Sequence, residues 1–167
     1  RRQQFHHEVV VAAMRDVPHF VERAQSIYGY QHFVNDAGGS VCELDDENVM
    51  QTLADCSVII YLQATHSDEE ELIRRAESAP KPLYYREEFL DEQLAEFMQL
   101  RQLDYVAQVD PDDFVRWIFP RLFYSRIPRY EALAKEYGYT VTTDELSQVQ
   151  TVDEFMALIE TALDRQS

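Results

Sequence analysis

The stretch HFVNDAGGSV, residues 32–41, places an acid and two adjacent glycines directly after a short apolar run. Gly38 and Gly39 are two of the 4 glycines in the chain. Adjacent glycines suit a bend with unusual backbone angles, and they also suit a backbone that approaches a ligand closely. Asp36 is of the residue type that holds Mg²⁺ or a water molecule beside phosphate groups. The stretch is therefore either a simple tight turn or part of a site for a small anionic ligand.

The elements that position this stretch are predicted from the spacing of the apolar residues. Four short runs have the composition of strands, namely QHFVND, SVIIYLQAT, DYVAQV and YTVT. The second of them, residues 57–65, is apolar on both faces, which is typical of a central parallel strand. Strands and helices alternate along the chain, which predicts an α/β fold with a parallel sheet. Asp36 then follows the carboxyl end of a strand, where open parallel sheets bind their ligands.

The helices of this α/β pattern have recognisable start signals. Residues 5–28 have the apolar spacing of a helix that a proline interrupts. Ser67–Glu70 and Thr151–Glu154 match the capping-box pattern and predict that helices begin there. Asp110 followed by proline predicts a further helix start, and that helix is expected to end near Tyr124, before a separate helix over PRYEALAKEYG.

In the order of these segments the chain resembles the shikimate kinase branch of the P-loop small-molecule kinases. EVVVAAM followed by HFVNDAGG resembles the helix and glycine-ended strand of that family, and VIIYLQAT resembles its next strand. RRAESAPKPL resembles the lid, with Arg74 and, seven residues later, Lys81 before Pro-Leu. RIPRY, with Arg126, Pro128 and Tyr130, resembles the motif that opens a helix and helps to bind the acidic substrate. TVTTDEL follows as the late strand and the loop on the nucleotide side.

The resemblance implies an ATP-dependent phosphotransferase or ATPase that uses ATP and Mg²⁺ and acts on a small anionic acceptor. The implied site residues are Asp36 as the catalytic and Mg²⁺-binding acid, Gly38, Gly39 and Arg126 at the acceptor substrate, and Arg74 and Lys81 over the ATP phosphates. Catalysis of this kind is mainly positioning and charge neutralisation.

The chain departs from the family in several places. It contains no G-x-x-x-x-G-K-[ST] motif, so the loop that cradles the phosphates is expected upstream of Arg1, and the chain alone is expected to be inactive. Lys81 stands where the family has an arginine. The glycine cluster is Ala-Gly-Gly rather than three glycines, and Asp36 is additional. We therefore do not infer shikimate as the substrate.

The resemblance also predicts the domain organisation. Residues 1–167 are interpreted as one α/β domain, the C-terminal part of a three-layer α/β/α, parallel-sheet P-loop kinase-like fold. Residues 68–86 are predicted to form the lid, and residues 87–125 an enlarged helical insertion after it. The alternative function, from another class, is a non-catalytic α/β domain that binds a partner protein.

Composition limits the partners and the compartment. The net charge of −16 argues against a basic face for nucleic acid, because phosphate binding needs clustered Lys and Arg. No apolar run reaches the roughly 18 residues that a membrane span needs. The two cysteines, Cys42 and Cys56, lie in different settings, and a reducing cytoplasm is expected. Composition leaves the oligomeric state open.

Overall fold

The computed structural model describes residues 2–166, without the side chains of residues 2–4, 6 and 166. The terminal unit comprises Arg1–Gln63 and Arg129–Ser167, and the central unit comprises Ala64–Pro128. The regular elements are α1 (Arg2–Arg15), α2 (Val17–Tyr28), α3 (Glu47–Cys56), β1 (Ile59–Gln63), α4 (His66–Ser78), α5 (Glu87–Arg101), α6 (Pro111–Tyr137), β2 (Gly138–Thr142), α7 (Thr143–Ser147) and α8 (Val152–Gln166). Short 3-10 helices lie at Val41–Glu43 and Val106–Gln108.

The predicted three-layer α/β/α P-loop kinase-like fold is wrong. Helix accounts for 70% of the structure, and the sheet formed by residues 2–166 has two parallel strands. The QHFVND run, residues 31–36, is irregular, and the DYVAQV run contains the 3-10 helix Val106–Gln108. Aromatic and β-branched residues favour a strand only where a neighbouring strand takes up the backbone hydrogen bonds. Within the described chain neither run has such a neighbour.

The two strands that do form were predicted at residues 57–65 and at YTVT, and both predictions are confirmed. β1 pairs with β2 in parallel, with Ile59 opposite Gly138 and Gln63 opposite Thr142. A side chain at position 138 would have its Cβ 2.5 Å from the Ile59 carbonyl oxygen. Glycine is therefore what allows the first residues of the two strands to approach each other.

The predicted helix over residues 5–28 forms as α1 and α2, with the break at Asp16. Pro18 lies in the first turn of α2, where its missing N–H costs no helical hydrogen bond. Gly29 ends α2 with a left-handed φ of 67°, and its N–H donates to the Gln25 carbonyl at 3.0 Å. Local signals were thus sufficient to predict this helical pair.

The core of the terminal unit holds α1, α2 and α3 together. Its buried side chains come from these helices and from the segment before α3, and they are Met14, Val17, Leu44, Val49, Met50 and Leu53. Ile59 of β1, Leu133 of α6 and Ala37 of the glycine stretch pack against this cluster. The apolar core therefore anchors the glycine stretch beside the sheet and the last turns of α6.

The helices of the central unit begin close to the predicted positions. α4 begins with a reciprocal capping box between Thr65 and Asp68. The predicted capping box at Ser67–Glu70 is therefore wrong by two residues. Thr65 is the N-cap because its backbone is still extended (φ −76°, ψ 167°), as N-cap residues usually are. α6 begins as predicted, with the Asp110 carboxylate accepting the N–H of Asp113 at 2.8 Å.

The predicted helix end near Tyr124 is wrong, because α6 continues to Tyr137 with two prolines inside it. A proline inside a helix removes a backbone hydrogen bond and costs ~3 kcal/mol or more. Ile118 and Leu122 lie on either side of Pro120 and are 0% and 2% exposed. Burying these two side chains offsets the cost at Pro120, which the local sequence pattern could not show.

An aromatic cluster forms the core of the central unit. The Phe97 ring of α5 lies 5.2 Å from the Phe114 ring and 5.3 Å from the Trp117 ring, both of α6. The Arg121 guanidinium lies 3.9 Å from the Trp117 ring centroid, a distance at which a cation is attracted to the ring face. Phe97 is 1% exposed, so this side chain is the centre of the contact between α5 and α6.

Candidate functional site

The glycine stretch forms a turn that closes on itself. The Asp36 carboxylate accepts a hydrogen bond from the Gly38 N–H at 3.0 Å. Gly38 has a φ of 67°, a left-handed conformation that glycine adopts without steric cost. Asp36, Gly38 and Gly39 are all exposed. The left-handed turn explains why a glycine stands at position 38. The turn also presents the Asp36 carboxylate and the main chain of both glycines to solvent. We call residues 35–40 the glycine loop.

α6 contacts the glycine loop through Tyr130. The Tyr130 hydroxyl donates to the Gly39 carbonyl at 2.6 Å. The same tyrosine ring stacks on Tyr61 of β1, with 5.2 Å between the ring centroids and an angle of 10° between the planes. On the other side of the loop, the Asn35 amide lies 4.0 Å from the Met14 sulfur. The loop therefore contacts α6 through Tyr130 and α1 through Met14.

Arg129 is a further cation of the terminal unit, and no role was predicted for it from the sequence. It directly precedes Tyr130 in α6, and its guanidinium lies 3.5 Å from the Asp45 carboxylate. Its side chain is 37% exposed. The RIPRY segment contains two arginines, and only the position of Tyr130 in the folded chain shows which of them shares a unit with the glycines.

We expect Tyr130→Phe to loosen the glycine loop without unfolding the protein. The change removes one hydrogen bond to an exposed carbonyl, which contributes about 0.5–1 kcal/mol, and it keeps the ring stacked on Tyr61. Amide hydrogen exchange of residues 38–40 should become faster while the melting temperature changes little. Tyr28→Phe is the matched control, because Tyr28 is 67% exposed and stacks on Tyr30. Equal exchange rates in the loop of both variants would contradict the anchoring role.

The carboxyl end of β2 leads directly into a short helix rather than into the predicted nucleotide-side loop. Thr142 is the N-cap of α7, and its N–H and hydroxyl both donate to the Glu145 carboxylate, at 2.8 and 2.9 Å. Arg165 of α8 forms an ion pair with the same carboxylate at 2.7 Å. The strand in the TVTTDEL interpretation is confirmed, but the loop after it is wrong, because the capping box starts a helix at once.

This capping box predicts a pH dependence of stability. The hydrogen bond from the Thr142 N–H, then those from Arg165 and the Thr142 hydroxyl, lower the pKa of Glu145 below its usual 4.5. A lowered folded-state pKa adds stability that is complete above the unfolded pKa and is lost as the pH falls through the folded value. Glu145→Gln should therefore be less stable than the wild type at neutral pH, and should lose less stability between about pH 6 and about pH 3.

Urea unfolding across that pH range measures the difference. Glu131→Gln changes an exposed glutamate of α6 in the same way and serves as the control. Parallel pH profiles for wild type and Glu145→Gln would show that the ion pair and the cap contribute nothing to acid sensitivity.

Three of the predicted site residues, Arg74, Lys81 and Arg126, lie in the central unit. Arg74 is on α4, and Lys81 follows that helix. Arg74 forms a two-pronged hydrogen bond with Glu71, at 2.8 and 2.7 Å. The hydrogen bond to Glu71 raises the pKa of Arg74, and the same bond lowers the pKa of Glu71. Lys81 is exposed and forms no ion pair with a described residue. An ATP phosphate at Arg74 would therefore have to replace Glu71, whereas Lys81 is available as it stands.

Arg126, the third of these residues, is half-buried in α6. Its guanidinium donates to the Tyr84 carbonyl at 2.9 Å. Burial raises the pKa of the neighbouring Tyr85 to about 12, and the positive charge of Arg126 opposes part of that rise. The structure thus places Arg74, Lys81 and Arg126 in one unit and Asp36, Gly38 and Gly39 in the other.

Comparisons with family models, with curated proteins and with solved structures found no match to this chain. Among the described side chains, no group of three or more His, Cys, Asp or Glu is placed to hold a metal ion. No helix within residues 2–166 has both the length and the apolar character needed to cross a bilayer. The candidate site is therefore defined by the geometry of the glycine loop alone.

Proposed function

We propose that this chain is the acceptor-binding portion of an ATP-dependent small-molecule kinase or ATPase. The observation that carries the proposal is the arrangement around the glycine loop. Hydrogen bonds join the exposed Asp36 carboxylate to Gly38 and the Tyr130 hydroxyl of α6 to Gly39, and Arg129, which precedes Tyr130, belongs to the same unit. Glycine main chain allows close approach of a small ligand, and the arginine supplies the charge that an anionic ligand needs.

Asp36 is the residue proposed to handle the acceptor hydroxyl. Its carboxylate is exposed and is held in place by the Gly38 N–H, so it can accept the proton of a bound hydroxyl group. Mg²⁺ is usually held by one or two carboxylates together with phosphate oxygens and water molecules. A single carboxylate fits this requirement only where nucleotide phosphates complete the set. ATP would supply the phosphoryl group.

Arg129 is proposed to bind the anionic acceptor, the role that the family resemblance implied for Arg126. The terminal unit contains 7 Lys and Arg against 17 Asp and Glu, so it repels small anions at long range and needs a local cation to hold one. The planar guanidinium can pair with two carboxylate or phosphate oxygens at once. Arg129 is preferred because it belongs to the same unit as the glycines, and an anion bound there would have to replace the Asp45 carboxylate, which lies 3.5 Å from the guanidinium.

The nucleotide side of the proposal depends on groups outside the glycine loop. Arg74 and Lys81, in the predicted lid over residues 68–86, remain the proposed contacts to the ATP phosphates. The printed sequence contains no G-x-x-x-x-G-K-[ST] motif, so another segment must supply the phosphate cradle. The 167-residue chain alone is therefore not expected to transfer phosphate. We propose a cytoplasmic location, supported by Cys42 and Cys56, which form no disulfide with each other.

A non-catalytic domain that binds a partner protein is the second candidate. Its support is a group of exposed apolar side chains on α2 and on the segment that follows it. They are Phe20, Ile27, Tyr28, Tyr30, Phe33 and Val34. Exposed apolar patches on monomeric proteins commonly mark interaction sites. We call this group the α2 patch, and ligand-binding data can separate the two functions.

The test is an NMR titration of the 167-residue chain with inorganic phosphate, malate, citrate and ATP with Mg²⁺. At least one of these anions should shift the Gly38 and Gly39 amides to saturation. Arg129→Gln should weaken that binding by up to about fivefold, since a charged contact at an exposed site contributes about 1 kcal/mol or less. Arg23→Gln removes an exposed arginine of α2 and should leave the affinity unchanged.

Two results would overturn the acceptor site. One is the absence of shifts in the glycine loop with every anion. The other is equal binding by the wild type and Arg129→Gln, which would make the loop a simple turn. If shifts instead appear only at the α2 patch with protein partners, the interaction function is the better description.

A further inference from the structure

The composition of β1 does not match its position in the sheet. The residues from Val58 to Leu62 are all apolar or aromatic, so both faces of the strand are apolar. Such strands normally have neighbours on both sides, because parallel sheets are buried. Within the described chain β1 has β2 on one side and no strand on the other. An open strand edge presents backbone N–H and C=O groups to any extended chain that can pair with it.

One face of the sheet is buried at Val141 of β2 but exposed at Leu62 of β1. Leu62 lies opposite Val141 of β2 in the parallel register, so the two side chains share a face. α8 packs against β2, and Val141 is 1% exposed. Leu62 of β1 and Val58, which directly precedes the strand, are 47% and 51% exposed. The apolar face therefore extends past the elements that cover it.

The irregular segment before the glycine loop has the same property. Phe33 and Val34 favour strands, yet they are 44% and 81% exposed. This segment leads to Gly39, whose carbonyl accepts from Tyr130, and the Tyr130 ring stacks on Tyr61 of β1. The glycine loop that follows this segment and Tyr61 of β1 thus contact the same tyrosine, and both stretches carry exposed apolar side chains.

From this mismatch we infer that the open edge of β1 binds an extended segment of a partner as a third strand. The segment has a core of about five residues rich in Val and Ile, the usual length of a strand, and Lys or Arg on both flanks. The apolar core covers Val58 and Leu62. The basic flanks complement a unit with 17 acidic against 7 basic side chains. The inference concerns backbone pairing and does not depend on the proposed kinase function.

The test uses the synthetic peptide Lys-Lys-Ile-Val-Val-Thr-Ile-Lys-Lys and the 167-residue chain. Binding should shift the amides of residues 58–63 and slow their hydrogen exchange. A peptide with N-methyl groups on all five core amides has no core N–H donor on either edge and cannot complete a ladder of backbone hydrogen bonds, so it should bind at least tenfold more weakly. The Val58→Lys, Leu62→Lys double variant should lose affinity to a similar extent. Val152→Lys changes a residue of α8 that is 62% exposed and should bind as the wild type does.

Equal affinity for the plain and N-methylated peptides would overturn the inference, whatever the behaviour of the double variant. This comparison uses the wild-type chain and therefore holds even if the double variant fails to fold. Shifts confined to the α2 patch would overturn it too. A concentration-dependent dimer that the double variant abolishes would show that a second copy, not a basic partner, occupies the edge.

Discussion

Phe97→Ala is expected to lower the free energy of unfolding of the central unit by about 3–5 kcal/mol. Phe97 is 1% exposed, and its ring meets both Phe114 and Trp117 at centroid distances of 5.2 and 5.3 Å. Removing the ring takes away its burial and leaves a cavity that rigid neighbours fill only in part. The aromatic pairs themselves contribute about 0.5–1.5 kcal/mol each beyond the buried area.

The chain offers a direct probe of this change. Trp117 is the one tryptophan in the sequence and lies against Phe97, so its fluorescence reports on the core of the central unit during urea unfolding. Leu100→Ala is the matched control on the same helix, because Leu100 is 60% exposed and should cost less than about 1 kcal/mol. Similar midpoints for the two variants would mean that the aromatic cluster is not the core of this unit.

Gly138→Ala is expected to destabilise the terminal unit by about 3 kcal/mol, the upper part of the usual range for overpacking. The new Cβ would lie 2.5 Å from the carbonyl oxygen of Ile59 and 2.9 Å from its Cβ. Neither atom is the flexible end of a side chain, so the two strands must move apart at their first pair. Amide exchange in β1 and β2, together with the melting temperature, measures the effect.

Gly29→Ala separates this clash from the general cost of replacing a glycine. Gly29 has a φ of 67° and no atom within 4 Å of an added Cβ, so the change costs only the roughly 1–2 kcal/mol of a left-handed residue. Its effect should be confined to the end of α2. If Gly138→Ala is no more destabilising than Gly29→Ala, the strands are not in close contact at Ile59.

Gly138→Ala and Phe97→Ala are expected to affect the proposed site in different ways. Gly138 positions β1, and β1 carries Tyr61, on which the Tyr130 ring stacks beside the glycine loop. Loss of strand pairing should therefore loosen the loop and weaken anion binding. Phe97 lies in the central unit, which does not contain the glycine loop. Its replacement changes stability through a different core.

The sequence by itself determined the features that depend on a few neighbouring residues. The Thr151–Glu154 capping box forms, with the Glu154 carboxylate accepting the Thr151 N–H at 3.0 Å. The Asp110–Pro111 helix start, the glycine end of α2 and the strand at residues 57–65 were likewise correct. Caps and turns are made by side chains and backbone within one helical turn, so local pattern is sufficient to predict them.

Only the tertiary structure decided which strand-like runs became strands, that α6 continues through Pro120 and Pro128, and which arginine of RIPRY belongs to the unit that contains the glycine loop. A strand needs a partner that can lie far away in sequence, and a helix tolerates proline where burial on both sides offsets its cost. The contact between Tyr130 and Gly39 joins residues 91 positions apart. Such a pairing depends on how α6 packs against the core, and the spacing of residues along the chain does not contain that information.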